Sequence, residues 1–319
     1  MTTANPSGRT RLRGIIGATL TPFASNGDVD AAAMERQIDM MASHCDAISV
    51  HGAEASEYQV LTPGERRASL RRSIGVVGGR VPVLAGASSP SVREVIEVSE
   101  LAADAGAEYV QVLMPLRPWG GQPSETDLLA YFERVSRECA LPVVAYHNPA
   151  RGADPSAATM VRLSELDRVV AFKESSRDIS KIGRLIEQID VTGNAAYFTT
   201  MQPLLATLHL GGSGAMMPPP ATLIGHEVLR CHDEGDLRAA VRWQSLFTLF
   251  PALWGTHGLA PVMKAAMAHL GIDLGGPAEP FGALGSVERA ALEAFLDDAR
   301  VAELLGKTPA VMDRREGGA

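Results

Sequence analysis

Apolar runs rich in β-branched residues recur along this chain, each followed by a stretch in which apolar residues return every three or four positions. The runs are GIIGATLT (14–21), DAISV (46–50), PVLAG (82–86), EYVQVLM (108–114), PVVAYH (142–147), VVAFKE (169–174), AYFT (196–199) and SGAMM (213–217). Short, nearly continuous apolar character is what a strand covered on both faces requires. The pattern predicts eight such strands separated by helices.

The helices carry their own start and stop signals. Thr62-Pro63-Gly64-Glu65 reads as a capping box with proline at the first helical position, and Ser124-Glu125-Thr126-Asp127 as a weaker version with Asp in the reaching position. Ile179, Ile182, Leu185, Ile186 and Ile189 lie on one helical face, as do Val92, Val95, Ile96, Ala102 and Ala103, with Gly106 placed to end the second helix.

Alternating β and α elements imply parallel strands, and eight such units can close into a (β/α)8 barrel, the TIM-barrel fold of the α/β class. An open doubly wound sheet is the rival. Its nucleotide-binding form is disfavoured, because no G-x-G-x-x-G opens a helix after the first strand and no G-x-x-x-x-G-K-[ST] occurs. After about Leu223 the strand signals stop and helical patterns continue over 224–234, 236–252, 259–271 and 286–304, with GGPAEPFG (275–282) as a connecting loop. The expected organisation is a disordered arm over 1–12, a barrel over 13–234, a C-terminal helical appendage over 235–305 and a frayed tail over 306–319.

Composition narrows the function. The 319 residues are 46% hydrophobic and 21% charged, with no apolar run of bilayer length, which predicts a soluble protein without a membrane partner. A net charge of -8 argues against nucleic acid as a partner. Cys45, Cys139 and Cys231 are far apart and form no C-x-x-C pair, so neither a disulfide framework nor a zinc site is expected, and a reducing cytoplasm fits. The N-terminal MTTANPSGRTRLRG has basic residues but no apolar stretch after them, unlike a signal peptide.

One predicted strand ends in a charge: RVVAFKESS (168–176) runs from apolar residues straight into Lys173. In a barrel, C-terminal strand ends face the catalytic mouth. A lysine held there, among Val170, Phe172 and the barrel interior, loses hydration of its charged form and becomes in part a neutral amine able to attack a ketone and form a Schiff base. The bland alternative is a solvated strand end or an ion-pair partner. One strand earlier PVVAYHNPAR places Tyr146 at the equivalent end, and neighbouring strands are only about 4.8 Å apart. Its hydroxyl can shuttle protons, or the ring can simply pack.

Together these motifs resemble the dihydrodipicolinate synthase / N-acetylneuraminate lyase family of pyruvate-dependent class I aldolases, from about Gly14 to Leu305. GIIGATLTPF is similar to the family's opening strand, EYQVLTPGER to the segment after its second strand, YHNPAR (146–151) to its Y-N-x-P-x-R, FKESS (172–176) to its Schiff-base motif and GGSGAMM (211–217), with Met216, to the glycine turn at its last strand. The resemblance implies a (β/α)8 barrel with C-terminal helices, a dimeric or tetrameric homo-oligomer, Lys173 as the nucleophile toward pyruvate or a related 2-oxo acid, Tyr146 beside it, Met216 at the substrate and no cofactor.

The chain departs from the family at informative places. Where G-T-T-G-E or G-S-T-G-E holds the pyruvate carboxylate, it reads HGAEASEY from His51 to Tyr58. Counting back from Glu57 puts Glu54 and Ala55 at the hydroxyl positions, and counting forward from Gly52 puts Ala53 and Glu54 there. Backbone N–H groups around Ala55 and Ser56 can still hold a carboxylate, with Ser56 offering a hydroxyl. Glu54 would repel the anion unless it turns away or pairs with a cation, and otherwise is a solvated loop residue. After the fourth strand MPLRPW (114–119) lacks the relay tyrosine of V-x-P-Y-Y and offers apolar Leu116 and Trp119. Arg117 there is a cation for a substrate carboxylate or Glu54, or a rim charge. Arg151 matches the arginine that meets the second substrate's carboxylate, or pairs with Asp154. His147 stands for the motif's asparagine, Glu174 should point away from Lys173, and Ser175 or Ser176 with Asp178 is expected to cap the next helix.

The leading expectation is a Schiff-base lyase or aldolase acting on a 2-oxo acid and an aldehyde. 4-Hydroxy-tetrahydrodipicolinate synthase activity and a dehydratase of the same family are the alternatives within this chemistry. A barrel that binds a 2-oxo acid without turnover is the alternative outside it. A metal-dependent aldolase is disfavoured because the histidines, including His44, His51, His147 and His257, show no H-x-H or H-E-x-x-H spacing.

Overall fold

The eight apolar runs are the strands of one closed sheet. In a computed structural model, which describes residues 11–251, 253–298 and 301, the strands are β1 (Gly14–Ala18), β2 (Ala47–Val50), β3 (Val83–Gly86), β4 (Tyr109–Leu113), β5 (Val143–His147), β6 (Val169–Glu174), β7 (Ala196–Thr199) and β8 (Gly214–Met217). Each pairs in parallel with the next, and β8 pairs back with β1. The intervening helices α1 (Ala31–Ala42), α2 (Pro63–Val77), α3 (Val92–Ala105), α4 (Glu125–Glu138), α5 (Ala157–Ser164), α6 (Ile179–Leu185), α7 (Leu204–His209) and α8 (Pro219–Asp233) alternate with the strands. This is the (β/α)8 TIM barrel.

The period-2 alternation of the strands divides the core in two. Ile16, Leu84, Val144, Ala171, Phe198 and Met216 pack together in the barrel interior. Ile15, Val83, Val143, Phe172 and Ala215 belong instead to the layer shared with the helices. Phe172 is therefore in that outer layer and not beside the Lys173 amine. At the seam where the barrel closes, Gly214 has φ +149° and a Cβ there would lie 2.0 Å from the Gly14 carbonyl oxygen, so only glycine lets β8 meet β1.

Both predicted capping boxes are formed. Thr62 accepts from the Glu65 amide while the Glu65 carboxylate accepts from the Thr62 amide, and Ser124 and Asp127 do the same at α4. Gly106, at φ +99°, ends α3. The stretch from Ile179 to Ile189 is less uniform than its periodicity predicts: α6 gives way at Ile186 to a π turn (Ile186–Val191), and Ile179, in the first turn, is exposed. The eighth barrel helix begins at Pro219, five residues before the predicted 224, because prolines at the first helical positions lack no needed donor.

One correction concerns the N-terminus. The arm expected over 1–12 is anchored at its last two residues: Leu12 is buried, and Arg11 donates to Asp190 Oδ1 at 2.5 Å. The expected tail over 306–319 lies outside the described residues. Beyond α8 come α9 (Leu237–Leu249), α10 (Trp254–His257), α11 (Leu259–His269) and α12 (Ser286–Leu296). No helix among the described residues is long and apolar enough to cross a membrane.

Candidate active site

The site is built where β2, β5 and β6 end. Alternation along β6 turns Lys173 to the same side as Ala171, into the barrel, and along β5 turns Tyr146 to the side of Val144. The two are register partners, and the Lys173 Nζ lies 4.3 Å from the centroid of the Tyr146 ring. Both are buried, at 6% and 2% exposure. Burial pulls the Lys173 ammonium from the ordinary 10.5 down to about 8, against the charges of Glu54 and Glu174 and with help from Arg177. The Nζ donates to the Ser175 hydroxyl.

Glu54 is not a solvated loop residue. The β2 loop turns through His51 (φ 52°) and Gly52, where a Cβ would lie 2.2 Å from Ser49 Oγ. Gln111 fixes that turn by accepting from Ser49 at 2.8 Å and donating to the Gly52 carbonyl at 2.7 Å. A single 3-10 turn (Glu54–Ser56) follows. It delivers the Glu54 carboxylate to Tyr146, whose hydroxyl donates to Oε2 at 2.5 Å. Asn148 completes the cluster. Its Oδ1 accepts from the Ala150 amide at 3.2 Å, which leaves Nδ2 to donate to the Tyr146 oxygen at 2.9 Å and to Glu54 Oε2 at 3.2 Å. Burial first, then the charge and acceptor of Glu54, push the Tyr146 phenol well above its ordinary 10. Tyr146 therefore keeps its proton and is a donor at rest.

The far side of the β2 loop is tied to the appended helices. Glu57, held at φ 53°, pairs with the buried Lys264 of α11 at 2.7 Å and accepts from the Ala278 amide at 2.8 Å. The loop over 275–282, which the sequence marks as a simple connection, thus braces the β2 loop. A cavity of about 530 Å3 lies between these parts. Lys173, Tyr146, Glu54, Ala55, Arg151 and Met216 line it from the barrel side, and Leu259, Pro261 and Phe281 from the appended segment.

Two expected site residues lie elsewhere. The Ser56 hydroxyl donates to the Ala53 carbonyl at 2.6 Å and its amide to the same oxygen at 3.0 Å, so it closes the 3-10 turn instead of offering a hydroxyl to an anion. Arg117 lies outside the cavity lining, its guanidinium 3.7 Å from Asp127 at the first turn of α4, and does not meet Glu54. Among the described residues no carboxylate pairs with Arg151, because Asp154 is taken by His147 at 2.9 Å and Lys181 at 2.9 Å. His147 is fully buried between Asp154 and Glu174, facing the outer layer. There it and Ser176 hold the Glu174 carboxyl below its usual range in spite of burial. Asp178 caps α6 through the amides of Ser180 and Lys181, with the Ser176 hydroxyl accepting from the Asp178 amide at 3.2 Å, while Ser175 accepts from Lys173.

Asn148, Ser175 and Arg177 were not anticipated. Asn148 occupies a variable position of the tyrosine motif, and Ser175 lies in a pair of serines that reads as a helix cap. Arg177 lines the cavity and stands at φ 60°, a conformation no sequence signal announces for arginine. Among the described residues no group of three or more His, Cys, Asp or Glu is placed to hold a metal ion.

A closed parallel barrel with an inward lysine beside a tyrosine at adjoining strand ends defines a class of enzyme that works through a lysine Schiff base. Comparison with known proteins gives the family. The chain matches the dihydrodipicolinate synthetase family over residues 11–299 and belongs to it, and it is thereby a class I, Schiff-base lyase. It is 31% identical over 302 residues to an uncharacterized DapA-like lyase of Halobacterium salinarum, covering 90% of this chain and 94% of that one. It is 30% identical over 285 residues to 4-hydroxy-tetrahydrodipicolinate synthase 1 of Halalkalibacterium halodurans, covering 88% and 94%. Among solved structures, the prophage protein YagE of E. coli K12 in complex with pyruvate superimposes with a TM-score of 0.83 at 25% identity, covering 91% of this chain and 99% of that one.

Proposed function

We propose that this enzyme makes or breaks the C3–C4 bond of a 2-oxo acid built on pyruvate or a relative of it, one carbon out from the keto group, with Lys173 as nucleophile and Tyr146 as proton shuttle. The observation that carries the reading is the buried, inward Lys173 amine, 4.3 Å over the Tyr146 ring and lining a cavity of about 530 Å3. The neutral amine attacks C2 of the 2-oxo acid, and loss of water leaves a protonated iminium. In the cleavage direction a hydroxyl at C4 gives up its proton as the C3–C4 pair moves into the iminium, releasing an aldehyde and an enamine. Protonation at C3 and addition of water at C2 then return the 2-oxo acid and the free lysine. In the synthetic direction the same steps run backward from an aldehyde. The lysine is the electron sink, so no cofactor is needed.

The pyruvate complex of the solved relative supports a 2-oxo acid at Lys173, with Ala55 and Met216 beside it and Arg151 available to an anionic second substrate. 4-Hydroxy-tetrahydrodipicolinate synthase activity is the alternative, less well supported because MPLRPW (114–119) lacks the relay tyrosine and Glu54 stands at the Tyr146 hydroxyl. A dehydratase using the same enamine fits equally with a carboxylate at that place. The exposed Leu116 and Trp119 in the segment after β4 support a homo-oligomer, dimer or tetramer, and three free, buried cysteines support a cytoplasmic setting.

The test is turnover of a panel of 4-hydroxy-2-oxo acids, and of pyruvate with aldehydes, followed by release or consumption of the 2-oxo acid. At least one pair is expected to turn over, unaffected by EDTA. Because only the neutral amine attacks, kcat/KM should rise with pH to a plateau with a midpoint near 8, where burial sets the Lys173 ammonium. Activity lost to EDTA and restored by zinc would overturn the lysine chemistry. A lysine adduct without turnover of any pair would leave a 2-oxo-acid-binding barrel.

A further inference from the structure

Resting on the Schiff-base reading above, we infer that Glu54 is the proton acceptor of the reaction, working through Tyr146, so that a carboxylate replaces the hydroxyl that the family's carboxylate loop carries at this place. Four observations converge on it. The Tyr146 hydroxyl donates to Glu54 Oε2 at 2.5 Å, a short bond of the charge-assisted kind. Asn148 holds both oxygens, with Nδ2 2.9 Å from the phenol and 3.2 Å from the carboxylate, so their mutual geometry is fixed before substrate arrives. The second oxygen, Oε1, is buried and has no hydrogen-bond partner among the described residues. A buried carboxylate oxygen left unpaired costs about 1–3 kcal/mol or more, and a proton or a substrate hydroxyl would satisfy it. Finally, the Ser56 hydroxyl donates to the Ala53 carbonyl and the nearby Thr21 hydroxyl to the Ser56 carbonyl, so neither donates to Tyr146 in place of a relay.

The proton balance follows. Where Lys173 is still an ammonium, its proton passes by way of the Ser175 hydroxyl, to which the Nζ donates and which also bonds Tyr146, to the Tyr146 oxygen as Tyr146 passes its own to Glu54, leaving a neutral amine and a protonated carboxyl. The nitrogen lone pair attacks C2 and the carbonyl pair moves to oxygen. Tyr146 transfers a proton from that nitrogen to the oxygen, giving the neutral carbinolamine. The hydroxyl then leaves as water with a proton from Tyr146, which Glu54 restores, and the nitrogen lone pair closes the iminium. One ammonium and one ketone have become one iminium and one water, with Glu54 again a carboxylate. Glu54 takes a second proton, again through Tyr146, when the iminium gives up a C3 proton to become the enamine.

The experiment separates this step from Schiff-base formation, using pyruvate as the probe. Exchange of its C3 protons in D2O is followed by NMR, and borohydride trapping on Lys173 is measured on the same samples. In Glu54→Gln, exchange is expected to fall about a hundredfold, the low end of what a general base contributes, while the trapped adduct still forms on prolonged incubation and the KM for pyruvate changes little. Glu54→Asp, which keeps a carboxylate, should stay within about tenfold of wild type, and formate should restore part of the exchange in Glu54→Ala. Exchange in Glu54→Gln within about threefold of wild type, equal losses in the Gln and Asp variants, or an Ala variant indifferent to formate would each overturn the assignment. Absence of an adduct in the wild-type enzyme would sink the underlying Schiff-base reading instead.

Discussion

A Lys173→Ala variant is expected to lose turnover by at least about 10^4-fold while keeping its fold, because covalent catalysis has no substitute once the amine is gone. Lys173→Arg should be as inactive, since a guanidinium stays protonated and offers no lone pair. Stability distinguishes loss of chemistry from loss of structure. Burial lowers the Lys173 ammonium from the ordinary 10.5 to about 8, and that difference corresponds to roughly 3 kcal/mol acting against the charged form in the folded state. The folded value lies below the unfolded one, so the penalty is present in full below about pH 8 and fades as the pH rises toward 10.5. Lys173→Met, which fills similar space without charge, should therefore melt no lower than wild type at neutral pH, with its advantage shrinking in alkali. Calorimetry at neutral and alkaline pH checks both the size and the direction. A Met variant several degrees less stable at neutral pH would mean that Lys173 is a structural cation held by Glu54 and Glu174.

Tyr146→Phe should lower kcat by about 10^2- to 10^3-fold with a much smaller change in KM. The substitution keeps the ring that lies under the Lys173 Nζ and the packing of β5, and removes only the oxygen that donates to Glu54. The adduct with a 2-oxo acid should still form, slowly, since the amine remains buried and nucleophilic. A price in stability is expected as well, because the carboxylate of Glu54 and the amide of Asn148 lose their shared partner; about 1–3 kcal/mol is the usual scale. Combining Tyr146→Phe with Glu54→Gln should slow turnover little beyond either change alone, as residues acting on one proton path do. Equal loss in kcat and gain in KM, with multiplicative effects in the double variant, would instead mean that Tyr146 only shapes the cavity. Steady-state kinetics on the three variants decides between the two.

The fold was legible because the information that sets it is local. Strands covered on both faces carry near-continuous apolar runs, capping boxes announce the starts of α2 and α4, and alternation of the two element types leaves few topologies. Period-2 alternation plus chain order was also enough to bring Lys173 and Tyr146 together, since adjacent parallel strands in register put equivalent ends side by side. The remainder of the site depends on contacts that no local pattern encodes. Glu54 meets Tyr146 across 92 positions, and only the turn set by Gly52 and Gln111 decides that its carboxylate points inward. Arg117 does not serve as a cation for Glu54 because its guanidinium sits 3.7 Å from Asp127, at the first turn of α4. Ser56 failed because a serine closing a 3-10 turn satisfies itself on the carbonyl three residues back. Arg11 and Leu12 looked like an arm because composition does not register a partner such as Asp190, 179 positions away.

All of this chemistry turns on whether the amine of Lys173, buried in the barrel and lowered to about 8, condenses with a 2-oxo acid. Borohydride reduction of the native enzyme with pyruvate, followed by peptide mapping, tests it most directly. One reduced pyruvyl group per chain is expected, on Lys173, and none in Lys173→Ala. No adduct with pyruvate or any other 2-oxo acid, or an adduct only on a surface lysine such as Lys181, would contradict it.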